Sequence, residues 1–185
     1  MSELEQILAS IKSDEATQAT RREWQPSTEG AIDIRIAVDG SWHHQGRRFQ
    51  RESLVKLFAG ILRREQDSYY LVTPAEKLRI EVEDAPFVAT LVEQIDADGT
   101  TAIVFTTNIG ERILLDQAHA LRVDIDANTG QPRPYVYIRD GLEALISRSA
   151  FYDLLNLADE TQRDGAAYLS ISSMGLQFEL GSTDE

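Results

Sequence analysis

Apolar and polar residues alternate over Ile32-Asp33-Ile34-Arg35-Ile36, which predicts a half-buried strand; Val38 extends its apolar side. Asp39-Gly40 then reads as a two-residue hairpin turn, with a return strand over 41–45 and a turn at Gly46. The period lengthens over 51–64, where Leu54, Val55, Phe58, Ile61 and Leu62 form one stripe and Arg63-Arg64 fall at the end. This predicts a helix whose last turn carries cations favourable to the helix dipole. Strands are expected over 69–73 and 78–83, joined by a turn at Thr73-Pro74-Ala75-Glu76. The middle reads as strands over 87–94, 101–107, 112–115 and 121–125. A hairpin over 135–138 and 142–146 turns at Asp140-Gly141, a second helix covers 148–158, and a final hairpin covers 168–171 and 176–180. Near the N-terminus Leu4, Ile7, Leu8 and Ile11 have helical spacing over 2–12, followed by a polar linker that Trp24 and Pro26 anchor to the body.

The pattern repeats. Shifting the first helix by 97 residues sets Arg51 on Arg148, Leu57 on Leu154 and Phe58 on Leu155. Shifting the next hairpin by 98 sets Tyr70 on Tyr168, Leu71 on Leu169, Leu78 on Leu176 and Glu81 on Glu179. The expected fold class is therefore α+β: two similar subdomains from a repeated hairpin–helix–hairpin motif, with a β-rich middle and mostly antiparallel sheets. The segments are 1–29 (N-terminal helix and linker), 30–84 (first repeat unit), 85–130 (β-rich middle) and 131–185 (second repeat unit and tail).

Charge changes this picture. The 185 residues carry a formal net charge of −13, which argues against nucleic acid and against anionic membrane surfaces as partners. The charge is uneven: residues 30–66 are net +3, through Arg35, Arg47, Arg48, Arg51, Lys56, Arg63 and Arg64, whereas residues 81–185 are net −13. The electropositive segment either complements the acidic remainder or offers a local anion site. There is no cysteine, so disulfides, thiol catalysis and thiolate metal sites are excluded. With no apolar signal segment or membrane-length apolar run, a cytoplasmic location is expected.

No nucleophile elbow, phosphate-binding glycine loop or His-Glu-x-x-His motif is present. No catalytic residue, metal site or cofactor is assigned. His43 and His44 are adjacent on a predicted strand and should point to opposite faces. The candidate ligand-binding residues are Trp42, His44, Arg47, Arg48 and Arg51 in the basic segment, where an aromatic beside cations offers both stacking and charge. Thr73, Glu76 and Lys77 join them at a turn that Pro74 preorganises; the corresponding turn of the second repeat, Ser172-Ser173-Met174-Gly175, carries no charge. Arg51 and Arg148 open their helices, where a cation opposes the dipole, so each is expected to reach a carboxylate such as Glu81 or Glu179, or a carbonyl.

The chain resembles a bacterial domain-of-unknown-function family, number 1285. The resemblance rests on Ile32-Asp33-Ile34-Arg35-Ile36 with Asp39-Gly40-Ser41-Trp42, and on Leu54-Val55-x-Leu57-Phe58. It continues in Leu71-Val72-Thr73-Pro74-x-Glu76-Lys77, Val82-Glu83-Asp84-Ala85-Pro86-Phe87 and Phe105-x-x-Asn108-x-Gly110. It implies an α+β fold of two similar subdomains and a link to signal transduction, and supplies no catalytic residues. The expected function is a non-enzymatic binding or regulatory protein that holds an anionic small ligand or an acidic protein segment. The alternatives are a small hydrolase using His43 or His44 with a carboxylate, and an oligomeric scaffold.

Overall fold

The computed structural model describes residues 23–97, 99–163 and 165–182. The helix expected over 2–12 lies outside them. The chain divides into two compact units: residues up to Pro86 with Asp140–Leu142, and Phe87–Arg139 with Glu143 onward.

The first unit is a six-stranded sheet, ordered β3-β2-β1-β6-β5-β4, with one helix. Its strands are β1 (Thr28–Ile36), β2 (Trp42–His44), β3 (Arg47–Arg48), β4 (Leu62–Glu65), β5 (Ser68–Val72) and β6 (Glu76–Val82); the helix is α1 (Glu52–Gly60). β1 and β6 run parallel, and the other pairs are antiparallel. Ile36 pairs with Trp42, and Ile34 with His44, so these side chains share one face. Ile34, Ile36 and Trp42 are buried there, and α1 covers them by stacking Phe58 on Trp42, with ring centroids 6.2 Å apart.

Two local expectations change. Residues 51–64 do not form one helix: α1 stops at Gly60, and the next residues extend into β4, where Leu62 pairs with Leu71 and is buried. The apolar stripe suits either period, but glycine is a poor helix former and strand pairing satisfies the backbone that a longer helix would otherwise hold. Arg63 and Arg64 thus lie on an edge strand. Arg63 Nη1 donates to the Trp24 carbonyl (3.0 Å), tying down the incoming chain as expected, and the Arg64 guanidinium lies 5.7 Å from the Tyr69 ring centroid. The first hairpin also has a three-residue loop rather than two. Ala37 and Ser41 close it (N–H to O 2.9 Å), and Gly40 takes the left-handed conformation at φ 78°. Asp39 enforces this by accepting from the Ser41 amide (2.9 Å). Asp140-Gly141, with φ 48° and 76°, is the two-residue turn its sequence suggested.

The second unit contains a six-stranded sheet, ordered β10-β11-β12-β7-β8-β9, and a three-stranded sheet, β13-β14-β15. The elements are β7 (Phe87–Ala97), β8 (Thr100–Thr107), β9 (Arg112–Leu114), β10 (Leu121–Ile125), β11 (Pro132–Arg139), β12 (Leu142–Ile146), α2 (Arg148–Asn156), β13 (Asp159–Arg163), β14 (Ala166–Ser173) and β15 (Leu176–Ser182). Ser147 caps α2 by accepting from the Ala150 amide (3.2 Å), and Ala150, Phe151 and Leu154 bury its apolar face. Ser173 links the two sheets: its hydroxyl donates to the Leu115 carbonyl (2.6 Å) and accepts from the Ile103 amide (3.0 Å).

The repeated order is present: hairpin, helix, then three antiparallel strands, as β1–β2, α1, β4–β6 and as β11–β12, α2, β13–β15. The partners differ. In the first copy β6 returns to pair with β1, whereas in the second β12 pairs in parallel with β7 of the middle segment and β13–β15 form their own sheet. Among the described residues no helix is long and apolar enough to cross a membrane.

Candidate functional site

The basic segment of the first unit falls at a sheet edge. β3 is two residues long, so Arg47 and Arg48 point to opposite faces. The register settles which: Arg47 pairs with His44, and Arg48 with His43. His44 shares a face with Trp42 and α1, while His43 shares the other with Arg35 of β1. The histidines do face opposite ways, and the cluster expected around Trp42 is split by the sheet.

On the helix side, Trp42 is part of the core, 1% exposed, and offers no accessible ring. An aromatic chain runs outward from it: Phe58 stacks on Trp42, Phe49 packs on Phe58 (5.7 Å between centroids), and His44 stacks on Phe49 (6.3 Å). Arg47 is exposed beside His44. Arg51 follows at the N-cap of α1, where its side chain gives no capping hydrogen bond. Over residues 47–56 the chain has four cations (Arg47, Arg48, Arg51, Lys56) and one acid (Glu52), all five exposed. The four cations take no ion pair among the described residues; Arg48 exerts only a longer-range attraction on Asp39. Arg51 does not reach Glu81, and its counterpart Arg148 donates to the Gln131 side-chain oxygen (2.9 Å) rather than to Glu179. Lys56 counted towards the basic segment but was not among the candidate ligand-binding residues, because nothing marked it apart from the rest of the helix surface.

Thr73, Glu76 and Lys77 lie elsewhere, around the β5–β6 turn. Thr73 is used by the turn itself: its hydroxyl accepts from the amides of Ala75 (3.3 Å) and Glu76 (3.2 Å) and its amide donates to the Glu76 carbonyl (2.9 Å). The Glu76 side chain is exposed. Lys77 turns back over the sheet, bridging Glu65 (2.8 Å) and Glu29 (3.2 Å) above the Tyr70 ring. The hydrogen bonds to Glu65 and then Glu29 hold its ammonium above the ordinary lysine range. A raised folded-state pKa stabilises fully below the unfolded value and less as pH rises through the folded one. Lys77→Met is therefore expected to lower the urea midpoint at neutral pH, with the gap from wild type closing above about pH 10.4; a gap that persists there contradicts a charge-based role.

On the opposite face, Asp39, Ser41 and His43 form a chain. The buried Ser41 hydroxyl donates to Asp39 and lies 2.9 Å from His43 Nε2. The Ser41 hydroxyl, followed by its amide, holds the Asp39 carboxyl below the usual carboxylate range. Nucleophilic catalysis needs the histidine to take the serine proton and the carboxylate to orient the histidine. Here the carboxylate holds the serine proton, and His43 Nε2 is left as the donor to Ser41. His119 pairs with Asp116 (3.1 Å) inside a turn where the same oxygen accepts the amides of Ala118 and His119, a local bracing. Among the described residues no three His, Asp or Glu side chains gather closely enough to hold a metal ion.

Two family models match the sequence: "Domain of unknown function (DUF1285), N-terminal domain" over residues 21–85 and "Protein of unknown function (DUF1285), C-terminal domain" over 86–180. Their boundary lies one residue from the division between the compact units. The fold is similar to the crystal structure of a DUF1285 family protein from Silicibacter pomeroyi DSS-3, at 40% identity and a TM-score of 0.79, over 91% of this chain and 96% of that one. It is also similar to a DUF1285 family protein from Shewanella baltica OS155, at 28% identity and a TM-score of 0.52, over 66% of this chain and 90% of that one. No curated protein matches the sequence.

Proposed function

The chain belongs to the DUF1285 family, and we propose that it is a non-enzymatic binding protein that captures an acidic protein segment at the β3–α1 corner of its first unit. The observation that carries this reading is the set of exposed cations Arg47, Arg51 and Lys56, which take no ion pair among the described residues, whereas Arg35, Arg63, Arg64 and Lys77 of the same unit have acidic partners. The edge position favours an extended segment, since a strand or loop laid along β3 meets guanidinium groups on both of its sides. Exposed arginines on an edge strand also deter unwanted pairing, but that role does not account for Arg51. A cation at an uncapped helix start lowers stability, and a ligand explains its position.

A stability–binding trade-off follows. Arg51→Asp supplies both a cap and a favourable charge, so it is expected to raise thermal stability by about 0.5–1 kcal/mol while weakening capture of acidic peptide. Calorimetric unfolding alongside peptide binding reads both effects; a variant that is less stable and binds equally well contradicts the assignment.

The function itself is tested with a fluorescein-labelled oligoglutamate peptide at neutral pH and low salt, followed by anisotropy. Wild type should bind saturably and more weakly as salt screens the contact, and Arg47→Glu with Arg51→Glu should weaken binding at least about tenfold, roughly 1.4 kcal/mol. Binding that is absent in wild type, or unchanged by the charge reversals, sinks the reading.

A further inference from the structure

We propose that α1 carries a docking face for the chain's own N-terminal segment, residues 2–12, which packs on it helix against helix. α1 is under-buried for so apolar a helix. Leu54, Val55 and Phe58 are only half-buried, Ala59 is its one buried residue, and Leu57 is 57% exposed. The second copy of the motif has the same helix with its apolar face covered. Aligned from their first residues, the two nine-residue helices set Leu54, Val55 and Phe58 on Ala150, Phe151 and Leu154. Those three are buried, and β7 packs against α2. Leu57 falls on Asp153, an exposed acid, so the first copy has leucine where the second presents a charge to water. With Leu54, Phe58 and Ile61 it makes a contiguous apolar stripe, at i, i+3, i+4 and i+7, that solvent reaches.

Three observations select the occupant. Leu4, Ile7, Leu8 and Ile11 repeat the i, i+3, i+4, i+7 spacing of that stripe, so two apolar edges of equal length, about 10 Å, can pack ridge into groove. Trp24 is tethered near the end of α1, since its carbonyl is held by Arg63, two residues past the C-cap Ile61. The chain from Lys12 to Trp24 can reach about 40 Å, against about 14 Å for the length of α1, so the segment can lie along the helix in either direction. Charge agrees as well. Residues 1–15 carry Glu3, Glu5, Asp14 and Glu15 against Lys12 alone, while α1 and its N-cap contribute Arg51 and Lys56 against Glu52. The contact itself is apolar and does not depend on the capture of acidic segments from other proteins.

The chain has no cysteine, so a nitroxide attached to Gln6→Cys labels a single position, on the polar side of 2–12. In the 15N-labelled full chain it should broaden the amides of Leu54 to Gly60, and the broadening should vanish when Ile7→Asp with Leu8→Asp is added. Leu57→Ser gives a second readout at a position where a polar side chain does not threaten the fold. It should lower the melting temperature by about 3–8 °C, the loss expected for a covered leucine. Combined with Ile7→Ser and Leu8→Ser it should add little to their own loss, because the three share one contact. The proposal is overturned by an absence of broadening on α1, or by a melting temperature that Leu57→Ser leaves unmoved. It is also overturned if nitroxide-bearing chains broaden the 15N signals of label-free chains in a mixture, which makes a second copy the occupant. None of these readouts uses oligoglutamate, so their failure is separate from failure of the acidic-segment reading.

Discussion

Arg139→Ala is expected to destabilise the second unit by about 3–5 kcal/mol, a large part of the roughly 5–15 kcal/mol that holds a typical domain folded. Arg139 Nη1 donates to both oxygens of Glu111, at 2.8 and 2.9 Å, and its guanidinium lies 5.3 Å from the centroid of the fully buried Phe87 ring. The two side chains are only 9% and 17% exposed. Removing the arginine leaves a carboxylate largely shielded from water with its cation gone, and that desolvation dominates the loss. The pair itself is worth less than the penalty for breaking it. Arg139→Met combined with Glu111→Leu, which replaces both charges by apolar volume, should therefore regain most of the stability. Urea denaturation of the two single variants and the double variant reads this directly. A loss below about 1 kcal/mol for Arg139→Ala would place the pair among ordinary surface bridges.

Ser173→Ala should cost about 2–4 kcal/mol by a different route, because it strands two buried backbone groups, each worth about 1–3 kcal/mol when left unsatisfied. Ser173 is fully buried, and its hydroxyl serves the Leu115 carbonyl and the Ile103 amide while the neighbouring Met174 amide donates to the Thr101 carbonyl (2.8 Å). These bonds join the three-stranded sheet to β8 and the segment just after β9. For a unit of this size the melting temperature should fall by about 10–20 °C. Ser172→Ala is the control: that hydroxyl accepts from Gln177 at an exposed position (2.8 Å), and its loss should change stability by less than about 0.5 kcal/mol. Hydrogen exchange at the Ile103 amide adds a local readout; protection there that is unchanged in Ser173→Ala contradicts the bridging role.

Much of the fold was legible because its strands alternate. Ile32 to Ile36, Leu121 to Ile125 and Leu142 to Ile146 announce themselves by period, and the helix starts at Glu52 and Arg148 lie within a residue of the starts expected at 51 and 148. β4 was hidden because Ile61-Leu62 continues the helical stripe, and only pairing with β5 selects the strand. β13, Asp-Glu-Thr-Gln-Arg, has no apolar alternation and is held by its backbone ladder to β14. The repeat was readable as an order of elements, but the pairing of β12 with β7 is long-range and leaves no local mark. At the site, composition located the basic segment without revealing its division. Arg47 and Arg48 are neighbours in sequence and face opposite sides of the sheet, and Trp42, which looked like a stacking platform, is a core residue. Asp39, Ser41 and His43 do share a signal, spacing by two across a turn, that reads as chemistry only once the loop length is known.

Capture of acidic segments at the β3–α1 corner is tested most directly by titrating 15N-labelled protein with oligoglutamate peptide and following each backbone amide. The expected result is a saturable set of shifts at Arg47, Phe49 and Arg51 through Lys56, reversed by salt and absent after Arg47→Glu with Arg51→Glu. Shifts confined to the second unit, or none at all at the corner, would contradict it.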